Sequence, residues 1–161
     1  MVEIIQATTK EHLAAVYELF REYIESLGFD LSFQNIEEEI ANLPGEYAPP
    51  EGRLYLALCD GQPAGCVGLR QLSSVICEMK RMWVRPQFRG KKIGHTLAEK
   101  VVEDARAIGY RKMVLDTIDT MAEAMAIYRS LGFKSVQPYY YNPIDGATFF
   151  EKDLTEDTVK S

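Results

Sequence analysis

The sequence predicts an α/β fold of the α+β kind, in which a mixed, mostly antiparallel central sheet carries helices on both faces. Three observations carry this. Strand-like and helix-like hydrophobic periods follow one another in the order β-α-α-β-β-β-α-β-α-β-β. Asp60-Gly61, set between two apolar runs, is a hairpin signal and opens an antiparallel meander. The β-α-β units after the meander require covering helices and a mixed sheet.

The elements follow in chain order. Val2 to Ala7 reads as a first strand, and Thr8 or Thr9 as the cap of the next helix, with Glu11 or His12 in its first turn. Leu13, Val16, Tyr17, Phe20, Ile24 and Leu27 form one apolar stripe, which Gly28 ends. Ile36, Ile40 and Leu43 suggest a weaker second helix. The Pro- and Gly-rich stretch from Pro44 to Gly52 predicts a loop. Arg53 to Cys59 and Ala64 to Leu72 are the hairpin strands, and Val75 to Val84 is a third, stopped by Pro86. Ile93, Leu97, Val101, Ala105 and Ile108 step at helical spacing up to Gly109. Met113 to Thr117 is a buried strand. A helix on Met121, Ala124, Ile127, Tyr128 and Leu131 closes at Gly132, and strands at Phe133 to Val136 and Ala147 to Leu154 complete the sheet. With no internal repeat and no long linker, residues 1–161 read as a single domain.

Composition argues against several function classes. Lys plus Arg total 18 against 24 acids, a net charge of −6, so a surface built to neutralise nucleic-acid phosphates is not expected. Cys59, Cys66 and Cys77 show neither metal-ligand nor C-x-x-C spacing, and read as reduced core thiols; no metal is implied. The start Met1-Val2-Glu3-Ile4 lacks the basic and apolar segments of a signal peptide, and no run approaches the roughly 18 apolar residues of a membrane span. The expected compartment is the cytoplasm, without a membrane partner.

Against that acidic background, Lys80, Arg81, Arg85, Arg89, Lys91 and Lys92 crowd a strand-to-helix junction, with no acid between Met79 and Ala98. Backbone N–H groups in such a turn, backed by a helix N-terminus, make an anion site, and glycines let phosphate approach. A P-loop is ruled out because Gly90 and Gly94 are separated by three residues and His95 follows; a Gly-x-Gly-x-x-Gly fingerprint is absent. The remaining readings are a diphosphate cradle and a solvated basic loop.

Val84 to Gly94 resembles the pyrophosphate-binding motif of the GNAT superfamily of acyl-CoA-dependent N-acyltransferases, Arg/Gln-x-x-Gly-x-Gly/Ala. Arg89 and Gly94 match its first and last positions, and Lys92 stands where the central glycine is usual, in a backbone conformation expected to be open to L-residues. Ala126 to Phe133 resembles the family's second hallmark, a Tyr-bearing helix ending in Gly-Phe, with Met121 where Asn is frequent. The order of elements matches as well.

The resemblance implies transfer of an acetyl group from acetyl-CoA to a primary amine by direct attack in a ternary complex. It implies a pantetheine arm along Met82, Trp83 and Val84, and a diphosphate on Arg89, Gly90, Lys91, Lys92, Ile93 and Gly94. Met121 and Tyr128 complete the cofactor side. Tyr128 is the candidate acid for the leaving thiolate, or else a half-buried helix aromatic. Glu78 is the candidate base, or else a surface charge paired with lysine; strand alternation puts Glu78, Lys80, Met82 and Val84 on one face. His12 and His95 read as solvated or capping residues.

The acceptor side is expected around Tyr23, Phe29, Tyr47, Tyr139, Tyr140, Tyr141 and Asn142. The Tyr139 to Pro143 run reads as a pocket wall, the contact of a homodimer, or an ordinary loop. Two other classes remain open: a non-catalytic acyl-CoA-binding or sensor domain, and a nucleic-acid or phosphoprotein module using the basic loop.

Overall fold

The hydrophobic periods become eleven elements in the expected order: β1 (Val2–Gln6), α1 (Lys10–Leu27), α2 (Ile36–Ala41), β2 (Arg53–Cys59), β3 (Gln62–Gln71), β4 (Ile76–Val84), α3 (Ile93–Ile108), β5 (Lys112–Ile118), α4 (Ala122–Ser130), β6 (Lys134–Val136) and β7 (Ala147–Asp153). They are seen in a computed structural model that describes residues 1–27, 36–118, 121–142 and 146–155. The expectations for Gly28, Phe29 and Pro143 lie outside the described residues.

Local chemistry sets the joints. Thr9 caps α1, its Oγ1 accepting the His12 N–H at 3.1 Å. Asp60 (φ 52°) and Gly61 (φ 83°) form the two-residue turn of the β2–β3 hairpin, where both central residues must take positive φ. The predicted Pro-rich loop is more structured than expected: it contains a 3-10 turn, Gly45–Tyr47, that drops Tyr47 into the core at 1% exposure. Tyr47 is therefore not an acceptor-side rim residue. Its ring lies where a Cβ on Gly68 would be, 2.7 Å away, so only glycine fits at that position of β3.

The seven strands pair in the order β1-β2-β3-β4-β5-β7-β6. Every pairing is antiparallel except β4 with β5. One face carries α3 and α4 over a core that includes Leu69, Met79, Leu97, Val101, Met113, Leu115 and Phe150. The other carries α1 and α2 over Val16, Leu19, Phe20, Tyr47, Leu54 and Leu56. All three cysteines are free and buried; burial pushes the Cys77 thiol up to about 12, so it has no thiolate character at neutral pH. Among the described residues no helix is long and apolar enough to cross a membrane.

Candidate active site

The sheet opens in its middle. β4 and β5 pair only at Ile76↔Lys112, Cys77↔Met113 and Glu78↔Val114, after which the strands part. β5 keeps its pairing with β7 from Lys112 to Ile118, so the opening faces β4 alone. Beyond Glu78, β4 therefore turns an edge toward β5 that makes no ladder, the kind of edge an extended ligand can occupy as an added strand.

At the opening β4 carries a bulge. Gly68 stands opposite Lys80 and Cys66 opposite Trp83, so Arg81 and Met82 share the single partner position at Val67. Arg81 takes φ +61° there. The extra residue inverts alternation. Met82 and Val84 pack on the α3 side, whereas Glu78 and Lys80 stay on the α1/α2 side with Arg81. The expectation of one face shared by Glu78, Lys80, Met82 and Val84 is thus corrected, because strict alternation fails across a bulge that a single sequence does not announce.

The basic run does not act as one patch either. Arg85 is paired with Glu22 of α1 at 2.8 Å, and Trp83 Nε1 donates to the same carboxylate at 3.2 Å. Lys80 and Arg81 are buried on the α1/α2 face. Arg89, Lys91 and Lys92 remain at the junction, and among the described residues none of the three is in an ion pair. Arg89 donates from Nε to the Val84 carbonyl at 2.9 Å and lies 4.8 Å from the centre of the Trp83 ring.

After a 3-10 turn at Pro86–Phe88, Gly90 takes φ +89° and Lys92 φ +63°. Lys92 therefore keeps the left-handed turn in which glycine is favoured, contrary to the expectation of an ordinary L-residue conformation. Lys92 is the N-cap of α3, no side chain caps the helix, and the first bond into it runs from Thr96 N–H to the Lys92 carbonyl at 3.0 Å. No hydrogen bond among the described residues is donated by the amides of Gly90, Lys91 or Lys92. The amides of Ile93, Gly94 and His95, in the first turn, have no intrahelical partner. Six successive N–H groups at a positive helix end constitute an anion cradle. Gly94 also sets the spacing of α3: a Cβ there would meet Ile127 of α4 at 3.1 Å.

On the α1/α2 side the opening is walled by a buried network of charges. Glu78, 1% exposed, accepts from Arg70 Nε at 2.8 Å and from the Tyr139 hydroxyl at 2.6 Å. The reading of Glu78 as a surface charge is corrected accordingly. Asp116 of β5 accepts from the Tyr140 hydroxyl and from Asn142 Nδ2, the latter at 3.0 Å. Lys80 stands between the two, 3.9 Å from Glu78 and 3.8 Å from Asp116. Arg81 makes a two-pronged pair with Glu39 of α2, 3.0 Å on each prong, and Glu39 also accepts from Tyr47 at 2.6 Å. Tyr139 and Tyr140 thus tie the segment after β6 to both sides of the opening, while Tyr141 is exposed. The sequence missed Asp116, Arg70 and Glu39 as members of this group. The available signal was Asp116, a lone acid inside the apolar run Met113-Val114-Leu115 and Thr117-Ile118, where an unpaired carboxylate is costly.

Tyr128 packs edge-on against Phe133 and beside Phe150. Among the described residues its hydroxyl has no hydrogen-bond partner. Burial, with Tyr23 and Asp116 adding to it, raises its proton affinity, so the hydroxyl holds its proton and lies within electrostatic reach of the opening. Met121 is the N-cap of α4 and packs against the α1/α2-side core.

Residues 13–133 match the model of the acetyltransferase (GNAT) family. The chain is 39% identical over 140 residues to an uncharacterised N-acetyltransferase of Schizosaccharomyces pombe, covering 86% of each chain. It is 34% identical to one of Dictyostelium discoideum, covering 94% of this chain and 98% of that one. An acetyltransferase from Streptococcus agalactiae superposes with a TM-score of 0.78 at 23% identity, over 94% of this chain and 98% of that one. The PaiA N-acetyltransferase of Thermoplasma acidophilum, solved in complex with coenzyme A, gives 0.74 at 20% identity, over 95% and 99%.

Proposed function

The chain belongs to the GNAT family of acetyltransferases, and from that premise we propose that it transfers the acetyl group of acetyl-CoA to a primary amine by direct attack in a ternary complex. The observation that carries the reading is the alignment of two features: a β4 edge without a ladder from Met79 to Val84, leading directly into the cradle of N–H groups at Gly90 to Gly94. The pantetheine arm lies along Met82, Trp83 and Val84, as an added strand would. The diphosphate lies on Arg89, Gly90, Lys91, Lys92, Ile93 and Gly94, with Lys91 and Lys92 supplying charge. That the superposable PaiA enzyme was solved with coenzyme A supports coenzyme A as the ligand class.

The acceptor approaches from the opposite side of the opening, where Tyr23, Tyr139 and Tyr140 border the charged network. An amine of pKa around 10 arrives protonated and must lose a proton before it attacks. Glu78 serves as base for that proton, with Asp116 across the opening as the second carboxylate in reach. Tyr128, whose hydroxyl keeps its proton and has no acceptor among the described residues, gives it to the departing thiolate. Orientation of the two substrates provides most of the acceleration, because no covalent intermediate is needed.

Thermal unfolding with CoA, acetyl-CoA and ATP tests the cofactor reading. Both CoA forms are expected to raise Tm by several degrees, since a ligand at about a hundred times its Kd adds close to 3 kcal/mol, and ATP is not. An absence of shift with either CoA form refutes the cradle. A panel of amines then separates an enzyme from a domain that binds acyl-CoA without turnover, a reading favoured by Lys92 and Met121 standing at positions where the family pattern differs.

A further inference from the structure

We infer that Lys80 is itself an acceptor: in the absence of an amine substrate, the protein acetylates the Nζ of Lys80 from bound acetyl-CoA. The inference rests on the acetyl-CoA reading above. Its geometric basis is the place of Lys80 at the opening of the sheet. Glu78↔Val114 is the last β4–β5 pair, and Lys80 and Asp116 each lie two residues beyond it. On the α1/α2 face they are the first side chains beyond the last pair to approach each other across the gap, with Nζ 3.8 Å from Asp116 Oδ1. The Lys80 ammonium is also 3.9 Å from Glu78 Oε2, so it stands between two carboxylates. That is the environment an attacking amine needs, with acceptors for its protons on either side.

The surroundings also favour the free amine. The side chain is 4% exposed. Burial lowers its proton affinity, and Arg81 and Arg70 add to that, while Glu78 and Asp116 oppose it. A lowered proton affinity is the direction in which a lysine becomes a better nucleophile. In the transfer, the Nζ lone pair forms the N–C bond to the acetyl carbonyl and the C–S bond breaks with its electron pair on sulfur. The proton lost from nitrogen balances the one gained by the thiolate, giving CoA thiol and an amide at Lys80. The amide carries no charge, so the modification removes the cation between Glu78 and Asp116 and fills the opening from the acceptor side.

The purified chain incubated with acetyl-CoA alone, followed by intact-mass measurement and peptide mapping, tests the inference. The expected result is a gain approaching one acetyl group per chain, located at Lys80. It is suppressed about tenfold or more by a hundredfold excess of CoA, and absent at position 80 in Lys80→Arg. Acetylation confined to surface lysines such as Lys91 or Lys100, or equal in denatured protein, overturns it. Thermal unfolding with CoA on the same sample separates the two levels. A CoA-dependent rise in Tm without acetylation of Lys80 overturns the self-acetylation alone, whereas no rise overturns the acetyl-CoA reading and the inference with it.

Discussion

At the scale of single residues, the site divides into groups that are tied and groups that are not. Glu78, Asp116 and Arg70 are held by two partners each and Arg81 by two bonds to Glu39, whereas the Tyr128 hydroxyl has no hydrogen-bond partner among the described residues. Tyr128→Phe therefore removes no hydrogen bond, and its stability is expected to stay within about 0.5 kcal/mol of the parent. Release of CoA thiol, measured with an amine taken from the panel, should fall on the order of 100-fold, the usual worth of a positioned proton donor. Unchanged turnover would remove Tyr128 from the chemistry. Lys92 offers a second prediction. A lysine at φ +63° bears about 1–2 kcal/mol of backbone strain, of which a glycine's unfolded-state entropy cancels about half. Lys92→Gly should thus unfold at the same or a higher urea concentration, by up to about 1 kcal/mol, and a clear drop would show that the side chain is part of the fold's stability. Both positions were legible in the sequence because each lies inside a motif, Arg89 to Gly94 or Tyr128 to Phe133. The charged network was not legible, because its members come from α2, β3, β4, β5 and the segment after β6, and only folding makes them neighbours.

At the scale of elements, the strand and helix order could be read from periodicity, since each element buries one face, but the course of β4 could not. A bulge adds one residue on one strand, and its signature is a register against β3 rather than a pattern within β4. Strict alternation along β4 therefore puts Glu78 and Lys80 on the face of Met82 and Val84, and the bulge undoes it. The contact between β3 and the 3-10 turn at Tyr47 was equally hidden. Gly68 reads as an unremarkable strand glycine, yet a Cβ there would lie 2.7 Å from the Tyr47 ring. Gly68→Ala is expected to cost about 1–3 kcal/mol in urea unfolding, as overpacking of a closed core does. The bond between α2 and β4 makes a pH-dependent prediction. Burial works to raise the Glu39 carboxyl, but the two hydrogen bonds and charge of Arg81, with Tyr47, outweigh it and hold Glu39 below the usual carboxylate range. A folded-state value below the unfolded one gives stability that is complete above the unfolded pKa of about 4.3 and is lost as pH falls through the folded value. Glu39→Gln should lose about 3–5 kcal/mol at neutral pH, because it leaves Arg81 buried without its counter-charge. Its stability should also fall less steeply between pH 5 and 3 than the parent's. Parallel acid limbs for the two proteins would exclude Glu39 as the titrating group.

At the scale of the whole molecule, the sheet is one layer between two cores, and β4–β5 is the least paired seam between its interior strands. Only three residue pairs join them, whereas seven join β5 to β7, so beyond Glu78 the two halves meet through side chains: Tyr139 on Glu78, Lys80 beside Asp116, and Gly94 of α3 against Ile127 of α4. A ligand laid along the β4 edge would supply the bonds the seam lacks. Its phosphate end would fix the start of α3, and its reactive end would sit among Lys80, Asp116 and Tyr128. The consequence is measurable by amide hydrogen exchange on the intact chain. With CoA in excess, the amides of Lys80 to Val84 and of Gly90 to His95 should slow by at least about tenfold, because bound backbone groups exchange only when the ligand leaves. Those of β1 and β2, on the far side of the sheet and already laddered, should change only through the global gain in stability. Protection confined to Gly90 to His95 would show that CoA is held by its diphosphate alone, and that the β4 edge does not receive the pantetheine. Uniform protection with no local excess at the seam would show that the opening between β4 and β5 is not where the ligand lies.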